Sequence, residues 1–208
     1  SVEATEIDDL LLDLLATSGG RLTPHLHMPL QSGADPVLRL MRRWHSRAQY
    51  RERALQIAER VAPLGLGADV ITGFPGETDE DHASTRALIE ELPFTYLHVF
   101  PYSPRRDTNA TSLPNPVPQR ISGDRARELR EIALEKGIQY RRGRVGSEAT
   151  VVVEGDGGTG LTEDYLRIGV GEPGAAVPQE RAVVTGTLLA EGAHLYIDLP
   201  RHPSRISS

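Results

Sequence analysis

A chain of 208 residues with 38% hydrophobic content and a formal charge of −6 is large enough for one ordinary domain and a small second one. It contains no cysteine, which excludes disulfides, thiol nucleophiles and any cysteine-held cluster on this chain itself. Its apolar runs, such as 10–16 and 151–153, fall short of the roughly 18 to 20 residues of a membrane span, so no membrane partner is expected. The opening SVEATEIDDLL is acidic and lacks the basic start and apolar centre of a secretory signal, which makes a cytoplasmic location the expectation. With no initial Met and an immediate helical pattern, the sequence reads as one that begins inside a longer protein. Lys136 is its only lysine, and arginines concentrate between 120 and 144, where nucleic acid could be bound locally. A GC-rich genome gives the same arginine bias.

In chain order, residues 6–16 carry an amphipathic helical pattern. Segment 25–29 (HLHMP) reads as a short strand, QSGADP as a turn, and 37–43 as a helix, with Val37, Leu38, Leu40 and Met41 at helical spacing. A longer helix is predicted at 46–61, with Ser46 as N-cap and with Pro63 and Gly65 ending it. Then come a buried strand at 67–72 (GADVIT), the turn GFPGETDED, a helix at 82–92 and a third strand at 96–102. This alternation predicts an α/β architecture, part of a (β/α) barrel around a parallel sheet. Residues 103–118, rich in Pro, Asn, Thr and Ser, read as an extended crossing segment. Residues 122–142 form a charged helix with Ile121, Ala126, Leu129, Ile132, Ala133 and Leu134 as a partial apolar stripe. From Gly146 the pattern becomes four to five short β segments, at 150–154, 165–170, 182–189 and 195–199, between Gly-rich turns, which predicts a small β-barrel. The two domains are placed at 1–140 and 141–208.

Three segments carry candidate chemistry. Gly73-Phe74-Pro75-Gly76-Glu77-Thr78 follows a strand and precedes a helix, so its glycines admit a ligand near the backbone and the helix start, with Thr78 and Asp79 as caps, offers free amides. The same residues would equally make a tight turn with Glu77 in the first helical turn. In HLHMPLQSG, Gln31, Ser32 and Gly33 supply an amide, a hydroxyl and bare backbone at the carboxyl end of a strand, where α/β folds gather ligands. His25 and His27 share a strand face, but with no third ligand nearby in sequence a metal role is set aside. In LHVFPYSPRRDT, Phe100 and Tyr102 could stack a purine, and Arg105 and Arg106 could hold a phosphate or carboxylate; core aromatics before a solvated loop is the other reading. Arg39, Arg42 and Arg43 beside Trp44 read as solvated helix arginines or as ligand or RNA contacts.

Together and in order, HLHMPLQSGADPVLRLMRRWHS, ADVITGFPGETDED and LHVFPYSPRRDTNA resemble the second half of the radical S-adenosylmethionine (SAM) barrel of methylthiotransferases. The resemblance covers roughly 20–140, and the later β-rich part, with VVVEG near its start, resembles the small RNA-binding TRAM (OB-like) domain that ends these enzymes. HVFPYSPR is most similar to the branch that modifies N6-threonylcarbamoyladenosine beside the tRNA anticodon. The resemblance implies two [4Fe-4S] clusters, one on a CxxxCxxC loop and one on an N-terminal domain, both outside this chain. It also implies that this chain supplies the far wall of the SAM site: Gln31, Ser32 and Gly33, then Ile71, Gly73 and Glu77, then Phe100 and Tyr102, with Arg43 as a partner for the SAM carboxylate.

The implied chemistry is cleavage of SAM to methionine and a 5'-deoxyadenosyl radical, which takes hydrogen from C2 of the adenine before sulfur and methyl are installed. The implied partners are the tRNA anticodon stem-loop and the missing N-terminal half of the same protein. Without cysteine this chain alone is expected to be inactive. Two other readings stay open: a cysteine-free, non-catalytic RNA-binding or structural fragment, and a methylthiotransferase acting on isopentenyl-adenosine or a ribosomal protein aspartate.

Overall fold

Alternation along one buried strand organises the first part of the molecule. The computed structural model describes residues 1–105, 108–155, 158–171, 178–179, 181–192 and 194–199. In β2 (Gly65–Thr72), Leu66, Ala68 and Val70 are fully buried, while Asp69 and Ile71 are half-buried. Successive side chains point to opposite faces of a strand, so one face is sealed by packing and the other carries polar groups. β2 is the centre of a parallel three-stranded sheet ordered β1 (His25–His27), β2, β3 (Tyr96–Pro101). The register sets Asp69 beside His98 and Ile71 beside Phe100.

Helices α1 (Asp9–Thr17), α2 (Asp35–Leu40), α3 (Arg47–Arg60), α4 (Asp79–Glu91) and α5 (Gln119–Arg144) accompany this sheet. Its packed face shares one core with Ile7, Leu12, Tyr50, Ile57, Leu88, Ile89, Ala126 and Leu129. Each fully buried Leu or Ile there stabilises the fold by about 1.5–3 kcal/mol. The predicted cap holds: Ser46 accepts from the Gln49 amide while the Gln49 side chain accepts from the Ser46 amide. Thr78 and Asp81 make the same reciprocal pair at the start of α4.

α2 is shorter than its periodicity predicts, because Arg42 takes a left-handed backbone (φ 57°) just after its C-cap Met41. Leu134, placed in the apolar stripe of α5, is 66% exposed, whereas Ala126 and Leu129 are buried. Arg130 donates from Nη2 to the Val99 carbonyl at 2.6 Å, which satisfies a main-chain acceptor on β3.

The chain divides into two compact units, Ser1–Gln139 and Tyr140–Ser208. The second is a closed barrel of β4 (Glu148–Glu154), β5 (Thr159–Thr162), β6 (Arg167–Val170), β8 (His194–Asp198) and β7 (Val183–Glu191), in that spatial order. The sequence signals for it omit β5, whose TGLT is too short and glycine-rich to stand out. All its pairings are antiparallel except β6 with β8. Ala149, Val151 and Val153 alternate inward and meet Ile168, Leu188 and Ile197. A polar cluster pins one end: Tyr140 Oη donates to Asp164 at 2.6 Å and Arg144 Nη2 to Glu163 at 2.9 Å. Burial and the adjacent Asp164 push the Tyr140 phenol well above its ordinary range. Among the described residues no helix is long and apolar enough to cross a membrane.

Candidate functional site

The carboxyl ends of the three parallel strands open into one cleft of about 530 Å³. Gln31 reaches it after β1, Asp69 and Ile71 from β2, Phe74 from the following turn, and Phe100, Pro101, Tyr102, Ser103 and Arg105 from β3 and beyond, with Thr108 and Ala110 on the far side. Phe74 and Tyr102 meet edge to face at 5.2 Å, so the cleft has aromatic walls. Among the described residues the buried Tyr102 hydroxyl has no hydrogen-bond partner, a polar atom that a ligand or water could satisfy. A cleft with aromatic walls, an amide, a carboxylate, a guanidinium and an unpaired hydroxyl suits a nucleoside-like ligand with polar groups.

Four predicted site residues line this cleft: Gln31, Ile71, Phe100 and Tyr102. Gln31 sits at φ 65°, with its amide bonded to the Asp69 carbonyl and its carbonyl accepting from the Ile71 amide. That ladder extends β1 past its end in a sparsely populated conformation, of the kind that concentrates at binding sites. The other five stand behind or beside the cleft. Ser32 is buried against Thr85, 3.3 Å between hydroxyls. Gly33 donates to Thr85 Oγ1, and a Cβ on it would lie 2.6 Å from Thr85 Cα. Both therefore seat the turn after β1 on α4.

Gly73 adopts φ 72°, and a Cβ there would collide with Ser122 of α5. Its amide donates to Glu77 Oε1 at 3.0 Å, and Arg125 Nη1 reaches the same oxygen at 2.5 Å. Burial pushes the Glu77 carboxyl upward, against the opposing pull of the Gly73 amide and Arg125. Thr72 and Ser122 exchange two further bonds, at 3.0 and 2.7 Å. In this structure Gly73 and Glu77 thus hold the cleft-forming turn to α5. Arg43 pairs with Glu3 at 3.1 Å and is outside the cleft lining. Trp44 is 89% exposed. Arg106 lies outside the described residues.

Sequence reasoning passed over Asp69 and His98. Asp69 lines the cleft and also lies 3.2 Å from His27 Nε2 and 3.2 Å from His98 Nδ1. Tyr96 Oη lies 2.9 Å from His25 Nε2 and 3.2 Å from His27 Nδ1. Tyr96 can lie there only because Gly67 opposite has no side chain; a Cβ on Gly67 would strike its ring. The signal was present: a carboxylate inside the otherwise apolar GADVIT strand needs a reason to be there.

A parallel β/α sheet with a cleft at its carboxyl edge, followed by a small closed barrel, defines the class of protein. Residues 1–89 match the family model described as the Radical SAM superfamily. The chain is 37% identical over 182 residues to the threonylcarbamoyladenosine tRNA methylthiotransferase MtaB of Treponema pallidum, covering 88% of this chain and 38% of that protein. It is 37% identical over 151 residues to the tRNA-2-methylthio-N(6)-dimethylallyladenosine synthase of Bacillus subtilis, covering 73% of this chain and 30% of that one. Among solved structures, the Escherichia coli radical SAM enzyme coproporphyrinogen III oxidase (HemN) shares its fold, with TM-score 0.53 and 23% identity over 65% of this chain and 31% of that chain. The chain belongs to the radical SAM methylthiotransferase family, and it spans 38–40% of the length of the first three curated relatives it matches.

Proposed function

We propose that this chain is the C-terminal portion of a tRNA methylthiotransferase that adds a 2-methylthio group to N6-threonylcarbamoyladenosine beside the anticodon. The observation that carries the reading is the cleft at the strand ends, built from the three segments that resemble the SAM-binding wall of the family. In it Phe100 and Tyr102 would flank the adenine of SAM, while Gln31, the Ile71 backbone and the unpaired Tyr102 hydroxyl would meet its polar groups. Ser32, Gly33, Gly73 and Glu77 would position that wall, and Arg43 would serve a SAM carboxylate only after leaving Glu3. Bound SAM supplies the radical precursor; the chain's own part is to hold, orient and shield. With no cysteine, these residues cannot hold either iron–sulfur cluster, whose thiolates must come from the N-terminal half.

The second unit is proposed as the TRAM-like RNA-binding domain. Its barrel order, first–second–third–fifth–fourth with the third and fifth strands parallel, matches the Greek-key layout of OB-type barrels that grip oligonucleotides. It would hold the anticodon stem by phosphate contacts, while the target base leaves its stack to reach the cleft. The threonylcarbamoyl branch is favoured over the dimethylallyl branch because similarity to the former extends over 168–182 residues and to the latter over 135–151.

The test is expression of the full-length gene and of this chain in cells lacking their own methylthiotransferases, followed by mass spectrometry of tRNA nucleosides. Methylthiolated threonylcarbamoyladenosine from the full gene alone supports the reading. A methylthiolated isopentenyl derivative would overturn the branch, and activity from the cysteine-free chain would overturn the chemistry.

A further inference from the structure

We propose that His27, Asp69 and His98 form a binding site for one divalent transition-metal ion of the zinc type, separate from any iron–sulfur cluster. Each residue comes from a different strand of the parallel sheet, β1, β2 and β3, on the face opposite the packed core. Their ligand atoms all lie within 4.8 Å of one another. Asp69 gives one oxygen to each imidazole, at 3.2 Å in both cases. In a tetrahedral site with bonds of about 2.0–2.2 Å, neighbouring ligand atoms are about 3.3 Å apart. Each imidazole is therefore at that spacing from one oxygen of Asp69, a different oxygen in each case, so an ion between them meets both carboxylate oxygens, or one oxygen after a small turn of the carboxylate. The His27–His98 edge can be brought in by a side-chain rotation of His98, which is 56% exposed.

Two features beyond the three donors favour a metal over a simple hydrogen-bonded cluster. The ion-pair partners of Asp69 among the described residues are His27 and His98, neither of which carries a permanent charge, so a half-buried carboxylate in an apolar strand lacks a fixed cation. A divalent ion supplies it. His27 also has the outer partner that metal-bound imidazoles keep: with Nε2 turned to the ion, Nδ1–H donates to Tyr96 Oη. Gly67 is what lets Tyr96 occupy that place. Two imidazoles and one carboxylate leave at least one coordination position open, the arrangement of reactive rather than purely structural sites. Asp69 is shared with the cleft wall, so a water or ligand oxygen on the open position would stand beside whatever the cleft holds.

The 208-residue chain has no thiolate to compete, which makes cobalt(II) a clean probe. The chain, stripped with a chelator, is titrated with Co²⁺ and followed by visible d–d absorption, with Zn²⁺ as competitor and metal content counted by mass spectrometry. One saturable equivalent, displaced by Zn²⁺, is expected. His98→Ala should abolish it, as should Asp69→Asn. Tyr96→Phe should weaken it by about 10-fold or more as the loss of an outer partner, and His194→Ala in the second unit should leave it unchanged. Circular dichroism of each variant reads folding; His98→Ala, with its exposed side chain, decides if Asp69→Asn does not fold. Absence of saturable binding, or binding that survives His98→Ala, overturns the site.

Discussion

Arg125 closes a buried pair with Glu77, the two side chains being 8% and 3% exposed. Its second contact, Asp79, is 92% exposed and contributes little. Replacing Arg125 with Met keeps the apolar stem of the side chain but strands Glu77 beside the Gly73 amide. Removing one partner of a buried pair costs about 3–5 kcal/mol, and the remaining Gly73 bond keeps the expected cost near the lower end, about 3 kcal/mol. At about 2–4 °C per kcal/mol for chains of this size, melting should fall by roughly 6–12 °C. The sign with pH follows from the carboxyl. Arg125 is one of the causes lowering the Glu77 pKa against burial, so without it the pKa rises further. A group raised in the folded state keeps its stability at low pH and loses it as pH rises through the folded pKa. The deficit of Arg125→Met should therefore be largest at neutral pH and shrink on acidification. Thermal melts of wild type, Arg125→Met, Glu77→Gln and the double variant between pH 5 and 8 test this. An equal cost of Arg125→Met in both Glu77 backgrounds, or a deficit that grows on acidification, would refute the account.

His45 is buried with Nε2 on the Leu30 carbonyl, and desolvation holds its pKa below the ordinary value. Its contribution is present above the unfolded pKa and lost as pH falls, so His45→Gln should flatten the decline in melting temperature between about pH 6.5 and 5. Gly67→Ala should cost about 1–3 kcal/mol by displacing Tyr96; in a Tyr96→Ala background, measured by urea unfolding, most of that cost should vanish. Leu129→Ala, at a fully buried position of α5, should cost about 2–5 kcal/mol. Leu134→Ala on the same helix should change stability by less than about 0.5 kcal/mol, and equal unfolding midpoints for the two would contradict the assigned face.

Much of the fold was legible because its signals are local. GADVIT between glycine and turn residues reads as a strand, and Ser46 and Thr78 announce helix starts by chemistry that operates within four residues. The end of α2 was not legible, since a left-handed Arg42 has no sequence signature of the strength of glycine. Leu134 misled for a related reason: a heptad-like stripe marks one face, but which of its members meets a partner depends on where the sheet ends. In the cleft, Gln31, Phe100 and Tyr102 were legible from their position at strand ends, and Ile71 through the family resemblance. What Glu77 and Gly73 touch was not, because Arg125 and Ser122 arrive from a helix far along the chain.

The metal question turns on that same distinction. Searched in sequence, His25 and His27 lack a third ligand, so a metal role is set aside on local grounds. Parallel strands, however, bring together residues that are separated by whole helices, at a register that only the pairing reveals. Asp69 is beside His98 because β2 and β3 are in register there, and beside His27 because His27 pairs two residues earlier, with Gly67 on the same face of β2. The two sides of the sheet divide the labour accordingly. Leu66, Ala68 and Val70 look into the core and could be exchanged for other apolar residues of similar volume at modest cost. Gly67, Asp69 and Ile71, interleaved with them on the same strand, each have one neighbour that tolerates no substitute: the Tyr96 ring, the paired imidazoles and the cleft. A strand whose alternate residues answer to packing and to chemistry should show two different patterns of mutational tolerance at period two, and a scan of 65–72 in which both sets tolerate substitution equally would remove the basis for assigning chemistry to this face.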